Sequence, residues 1–320
     1  MKKVVDLLKS RIIYVFLLVM LVFFSITSPN FLTVRNLMNI VKQVAIYGIA
    51  SVGMTYVILL GGIDLSIGSI ISLVNILAAY VMVNMGMNPV IAVIAALAVS
   101  TLIGLLNGLI IARLKMPELI VTFASQTIFA GLAYMICNGT PISRFPDSFL
   151  NLGQGYVGII PVPAIIMVIV FAIGWFISEK TYFGRYFYAL GGNEEAAQLS
   201  GINVRQVKYL VYSLSGFFAG LAGLVMLARA NTGQPNAGQG YEFDVITCVV
   251  LGGVSTTGGS GKMSNVIAGV MIIGVLQNGM VLLNVSSYMQ MVVKGIILLV
   301  AVGADCVQRQ RMLKAKKAAV

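Results

Sequence analysis

From Gln43 to Val83 the only charged side chain is Asp64, set within Gly61-Gly62-Ile63-Asp64-Leu65-Ser66-Ile67-Gly68-Ser69. A run this apolar is long enough to cross a bilayer, whose hydrocarbon core takes about 20 residues of helix. A charge near the bilayer centre costs roughly 2.5–3.5 kcal/mol on insertion scales. Paired glycines beside it interrupt a helix and free backbone groups that lipid does not hydrogen-bond. Such a break is stable only against protein or a water-lined cavity. The segment is therefore predicted to face a pathway through the protein.

The rest of the chain repeats the theme. It is 59% hydrophobic and 10% charged, where a soluble domain carries about 25% charged residues. Apolar runs near 20 residues recur, about ten in all, over 12–28, 38–60, 65–85, 89–112, 117–137, 160–178, 207–229, 243–258, 264–283 and 287–306. The predicted fold class is an all-α polytopic membrane protein with broken or re-entrant segments, forming one domain over 1–320. A β-barrel would show ten-residue alternation instead. The eighth span is short and ends in glycines, as a half-span or re-entrant segment would.

The net charge of +11 fits basic loops on the cytoplasmic side better than nucleic-acid binding. With the N-terminus inside, all lysines and arginines except Arg35, Lys42, Arg144, Arg229 and Lys294 fall on the inner side. That bias selects an even number of spans with both termini cytoplasmic. Lys42 is close enough to its helix end to snorkel; Lys294 lies deeper and needs a partner or a cavity. Lys2, Lys3, Lys9 and Arg11 precede a retained first span, because no Ala-x-Ala-like cleavage site follows. Two loops are long: 138–159 outside and 179–206 inside. A basic tail, 307–320, closes the chain.

Histidine is absent, which removes the commonest general base and metal ligand. Cys137, Cys248 and Cys306 lack metal-site spacing and are expected to pack as small apolar groups. Gly258-Gly259-Ser260-Gly261-Lys262-Met263 imitates a phosphate-binding loop. It has Thr256 where that motif needs glycine and Met263 where it needs Ser or Thr. Gly104-x3-Gly108 and Gly216-x3-Gly220, with Gly223, mark close helix packing. Leu60-Gly61-Gly62 with Gly68-Ser69 recurs as Leu251-Gly252-Gly253 with Gly259-Ser260. Broken segments at related positions in two halves point to a transport site.

In the inner loop, Asn193 is a good N-cap for a short helix at 194–200. Glu194 and Glu195 complement its positive end, and Gly201 suits the left-handed residue after it. Two turns are marginal alone in water. Such a helix either docks into another protein or lies on the membrane.

Glu195-Ala196-Ala197 followed by Gly201 resembles the EAA-x3-G start of the coupling loop in ABC importer permeases; the later Ile-x-Leu-Pro half is missing. Gly61 to Gly68 resembles the GGIDLSVG signature of the ribose, galactose, arabinose and xylose type permeases. Val249-Val250-Leu251-Gly252-Gly253-Val254-Ser255 with Gly258-Gly259 is similar to that family's late signature, and Asn30-Phe31-Leu32 with Asn36-Leu37 to its first periplasmic segment. The resemblance covers essentially the whole chain. It implies a type II ABC importer-like permease in the bacterial inner membrane, carrying a monosaccharide. Implied partners are ABC ATPase subunits, an extracytoplasmic sugar-binding protein and a second permease copy. The chain itself would bind no cofactor and no metal, ATP and Mg being held by the ATPase, and would catalyse no reaction.

A neutral polyhydroxylated solute needs hydrogen-bonding walls with little fixed charge. Candidate wall or gating residues are Gly61, Gly62, Asp64, Ser66, Gly68, Ser69, Asn75, Asn107, Gln126, Thr127, Gly252, Gly253, Gln277 and Asn278. For each polar one an interhelical hydrogen bond is the competing role. Asp64 either accepts a sugar hydroxyl or caps the helix starting near Leu65, the second being favoured. The alternative function is an ion-coupled secondary transporter. That would need buried titratable groups, and Glu118, Glu242, Asp244 and Asp305 are all expected at span ends.

Overall fold

The computed structural model describes residues 2–317. The described elements are α1 (Lys2–Thr27), α2 (Val34–Leu59), α3 (Ile67–Val83), α4 (Pro89–Leu114), α5 (Glu118–Cys137), β1 (Ile142–Ser143), α6 (Asp147–Gln154), β2 (Tyr156–Val157), β3 (Ile160–Pro161), α7 (Val162–Lys180), α8 (Tyr182–Gly192), α9 (Glu194–Leu199), α10 (Val204–Ala230), β4 (Thr232–Gly233), α11 (Tyr241–Leu251), α12 (Met263–Leu282) and α13 (Ser287–Lys317). The fold is an α-helical bundle, and each predicted span except the eighth falls on a helix to within a few residues. Among the described residues seven helices are long and apolar enough to cross a membrane, while α3 and the apolar part of α1, Ile13–Thr27, are shorter.

Helix starts follow their capping residues. Thr33, Asn88, Asn193 and Asn203 each accept a backbone N–H from the first turn of α2, α4, α9 and α10. Pro89 occupies the first turn of α4, where its missing N–H costs nothing.

The centre of the bundle is α2 crossed by α10. From Val44 to Leu59 every residue of α2 is buried, the signature of a helix enclosed on all sides. α10 lies against α4, α2 and α3. The glycine stripes set its approach to α4. A Cβ on Gly108 would stand 3.1 Å from the Lys208 carbonyl, and one on Gly104 would overlap the Tyr212 carbonyl. With lipid as solvent, this tight packing rather than apolar transfer holds the helices together.

After α10 the chain does not cross a loop and start a new span. β4 pairs with β1, and the following segment turns back into the bundle along α3. Gln234 N–H donates to Asn75 Oδ1 (3.0 Å), and Gly238 N–H to Ser72 Oγ (2.9 Å). Gly240, at φ +83°, then turns the backbone into α11, a conformation that costs glycine little. The eighth span is thus a re-entrant segment leading to a helix over 241–251 rather than 243–258. Eleven residues rise only about 16 Å, half a bilayer core.

Several expectations change. Loop 138–159 contains β1, α6 and β2, and the inner loop 179–206 is mostly α8 and α9. Cys137 and Cys248 are buried, but Cys306 is exposed. The tail 307–320 continues α13 to Lys317, and its last three residues lie outside the described residues. The side chains of Lys2, Lys3, Lys9 and Arg11 also lie outside the described set. The two Leu-Gly-Gly steps end α2 and α11, but the positive φ falls on Gly61 (+89°) in one and on Gly253 (+80°) in the other. The repeat is therefore not exact in its backbone.

Candidate functional site

Three polar constellations occupy different depths of the bundle. At the α9 end, Lys208 of α10 bridges Glu118 at the start of α5 (3.2 Å) and Glu194 of α9 (3.0 Å). Ala197 is the buried anchor of α9, whereas Leu199 is 90% exposed. Asn193 Oδ1 accepts from Ala196 N–H at 2.9 Å, and Glu195, Ala196 and Gly201 are exposed. A groove of about 890 Å³ runs beside α9, lined by residues including Lys115, Glu194, Glu195, Gln198 and Arg205.

Immediately inside lies the glycine break. Asp64 is fully buried, with 0% exposure. Its Oδ1 accepts from Ser66 N–H (3.0 Å) and Ser66 Oγ–H (2.5 Å), and its Oδ2 from Ser215 Oγ–H of α10 (2.7 Å). Asn107 of α4 donates to Ser66 Oγ at 3.0 Å. Asp64 thus ties the approach to α3 to α10 and, through Ser66, to α4. Its depth is that of the first turn of α5, since Thr122 Oγ–H donates to the Ile63 carbonyl (3.2 Å), so it lies nearer one end than the centre. Gly61 packs against Thr257 and Gly258, Gly191 against Leu59 and Gly259, and Gly259 N–H donates to the Leu59 carbonyl (2.9 Å). The segment that imitates a phosphate loop is a packing turn joining α8 to the break. Gly62, buried, adjoins Glu118 and Tyr212. Gly252 packs on Val266, while Gly253 is exposed in the turn after α11.

The third constellation is deeper. Gln126, midway along α5, donates Nε2–H to Glu242 Oε1 at 2.8 Å. Glu242 is 2% exposed, and its Oε2 has no hydrogen-bond partner. A cavity of about 300 Å³ opens here, lined by residues including Gly68, Ser69, Gln126, Thr127, Gln239 and Glu242. No lysine or arginine lines it. Two residues further along α11, Asp244 pairs with Lys294 of α13 at 2.7 Å, which gives that deep lysine its partner.

Other candidates join helices instead. Asn75 donates to the Gly223 carbonyl (3.3 Å) and receives Gln234 N–H. Asn36 and Asn278 exchange reciprocal amide bonds of 3.0 and 2.9 Å, and Tyr47 donates to Gln277. Asp305 of α13 accepts from Thr256 N–H (3.0 Å) and its hydroxyl (2.8 Å). At the far end Lys42 reaches outward to the Gln154 carbonyl (3.0 Å) and lies over the Tyr156 ring.

Glu242 and Asp244 are the residues sequence reasoning misplaced, at a span end. The signal for their depth was Pro235-Asn236-Ala237-Gly238-Gln239-Gly240, a breaker-rich run too polar for lipid, directly ahead of a short apolar helix.

An apolar bundle with two broken segments, a polar lining without lysine or arginine and an exposed capped helix at one end defines a multi-span membrane permease. The chain belongs to the permease family described as branched-chain amino acid transport system / permease component, matched over residues 36–302. It is 46% identical over 291 residues to the ribose import permease protein of Bacillus subtilis, covering 90% of each chain. It is 43% identical to that of Haemophilus influenzae, covering 91% of each. An L-arabinose ABC transporter permease protein of Azospirillum brasilense is 37% identical, over 95% of this chain and 89% of its own length. No solved structure matches the chain.

Proposed function

We propose that the chain is the membrane-spanning subunit of an ABC importer that moves a ribose-like monosaccharide, receives it from an extracytoplasmic binding protein, and is driven by separate ATPase subunits. The 46% identity to a ribose import permease over 90% of both chains carries this reading. The cavity chemistry agrees with it. A zwitterionic amino acid would need a cation for its carboxylate, whereas the polar groups lining the cavity are amides, hydroxyls and a single acid, suited to sugar hydroxyls.

The geometry supports the following assignment of working parts. α9, with Leu199 uncovered, is the docking helix for the ATPase. Lys208 passes its displacement to α5 through Glu118 and to the glycine break behind it. The ATPase end is cytoplasmic, as are both termini, which puts the basic loops inside. A second permease copy closes the pathway, because Thr127 and Tyr134 of α5 are exposed on the single chain and polar walls do not face lipid without cost. ATP and Mg belong to the ATPase; this chain holds no nucleotide site and catalyses no reaction.

Proteoliposomes containing this chain, its ATPase subunits and its receptor are expected to accumulate D-ribose only while ATP is hydrolysed. Accumulation by the chain alone on an ion gradient overturns the reading in favour of a secondary transporter. Glu195→Arg or Gly201→Val is expected to abolish uptake while membrane insertion is retained. Wild-type uptake and wild-type ATPase recovery in both variants would remove α9 from the docking role.

A further inference from the structure

We infer that Glu242 and Gln126 form a hydroxyl-binding site in the middle of the membrane, through which the polyol cargo is handed across the pathway. The inference rests on the importer reading above but fails separately from it. Four buried side-chain polar atoms among the described residues lack a hydrogen-bond partner: Ser51 Oγ, Ser125 Oγ, Tyr212 OH and Glu242 Oε2. Only Glu242 carries an ionisable carboxyl group, and only it lines the mid-bundle cavity. A buried carboxyl oxygen without a partner is expensive, and is retained where something else supplies the missing bond.

The geometry says where that bond comes from. Glu242 Oε1 is held by Gln126 at 2.8 Å, which fixes the carboxyl group. The orphan Oε2 lies against Gly68, where a Cβ would overlap it, and Gly68 lines the same cavity. Ser69, Thr127, Asn236 and Gln239 add hydroxyl and amide groups around the rim. The volume of about 300 Å³ is at the small end of ligand pockets, ~300–1,000 Å³, and suits a monosaccharide rather than a disaccharide or a peptide. A sugar hydroxyl donates to Oε2 while its own oxygen accepts from a rim amide. The re-entrant segment delivers Glu242 to this depth, so its length and the placement of Gly240 determine where the site lies along the pathway.

The test is uptake of D-ribose by the assembled transporter in proteoliposomes, with receptor-stimulated ATP hydrolysis measured alongside. Glu242→Ala is expected to lower uptake by about tenfold or more, the worth of one buried hydrogen bond, with ATP hydrolysis within about twofold of wild type. Glu242→Gln is expected to recover most of the uptake, since a carboxamide both accepts from Gln126 and bonds a hydroxyl. Thr127→Trp fills the cavity from its exposed wall with the carboxyl group retained, and is expected to block uptake in the same way. Ala130 also lines the cavity, and in a cysteine-free background Ala130→Cys is expected to react with a membrane-impermeant thiol reagent more slowly when D-ribose is present. Wild-type uptake in Glu242→Ala, equal loss in the Gln and Ala variants, or no protection at position 130 in an active transporter overturns the site. Failure of the wild-type complex to take up any sugar overturns the functional reading instead.

Discussion

The bundle is interrupted in two places, and the interruptions are finished differently. At the break before α3, both oxygens of Asp64 are occupied, by Ser66 and by Ser215. At the break before α11, one oxygen of Glu242 is occupied and the other is not. The first carboxylate is consumed in joining α3 to α10 and α4. The second is fixed at one oxygen and left with spare bonding capacity beside a cavity. Each acid lies two residues after a glycine, Gly62 or Gly240, and neither local sequence shows which oxygen will be left without a partner. What separates them is whether the neighbouring helices supply hydroxyl donors. A satisfied break serves as a rigid fulcrum, and an unsatisfied one serves as a place for a guest.

The largest effect is expected at the fulcrum. Asp64→Leu strands two hydroxyls and a backbone N–H, each costing about 1–3 kcal/mol when buried without a partner. A loss of roughly 3 kcal/mol or more is expected, read as a fall in the thermal midpoint of the detergent-solubilised protein. Asp64→Asn keeps an acceptor and is expected to lose about half as much and to retain more uptake. Equal midpoints for the two variants would show that charge, not capping, is what the site requires.

Next comes Gly68→Ala, which sharpens the contrast because Gly68 belongs to α3 but gives Glu242 its room. The added methyl overlaps Glu242 Oε2 and the Gly238 carbonyl. Overpacking of this kind costs about 1–3 kcal/mol. Removing the carboxyl in the same chain relieves one of the two clashes. The Gly68→Ala/Glu242→Ala double variant is therefore expected to be more stable than the sum of its singles predicts. Strict additivity in thermal midpoints would mean that the two residues do not share space.

The contrast also explains what was legible in the sequence. Most of the spans and the cap at Asn193 are local, set by residues within a few positions, and were legible; Asp64 accepts the Ser66 N–H two residues on, but α3 starts from Ser66 without a side-chain cap. Tertiary partners were not legible. Ser215 reaches Asp64 across 151 residues, and Gln126 reaches Glu242 across 116. The depth of Glu242 depends on a backbone that re-enters the bundle, for which hydropathy has no signal beyond a cluster of breakers. Asn278, a candidate wall group, instead exchanges amide bonds with Asn36, 242 residues away. Asn278→Ala is accordingly expected to cost about 0.6–1.7 kcal/mol, the range for hydrogen bonds between membrane helices, with uptake preserved in proportion to folded protein. A selective loss of uptake at full stability would return Asn278 to the pathway.

The coupling end gives the smallest expected stability changes and the sharpest functional ones. Lys208→Met removes the cation shared by Glu118 and Glu194. Glu194 is largely exposed and so loses little, whereas Glu118 is mostly buried; a cost of about 1 kcal/mol is expected for a part-buried pair, with uptake falling further than ATP hydrolysis. Leu199→Ser changes a side chain that is 90% exposed and is expected to shift stability by less than about 0.5 kcal/mol. If α9 is a docking helix, the same change removes an apolar anchor from the interface, and recovery of the ATPase with the permease should fall severalfold. The measurement is co-purification of the ATPase with wild-type and Leu199→Ser protein at equal permease load. Equal recovery would mean that Leu199 faces solvent or lipid in the assembled transporter and that docking runs through the groove beside Lys115 and Arg205 instead.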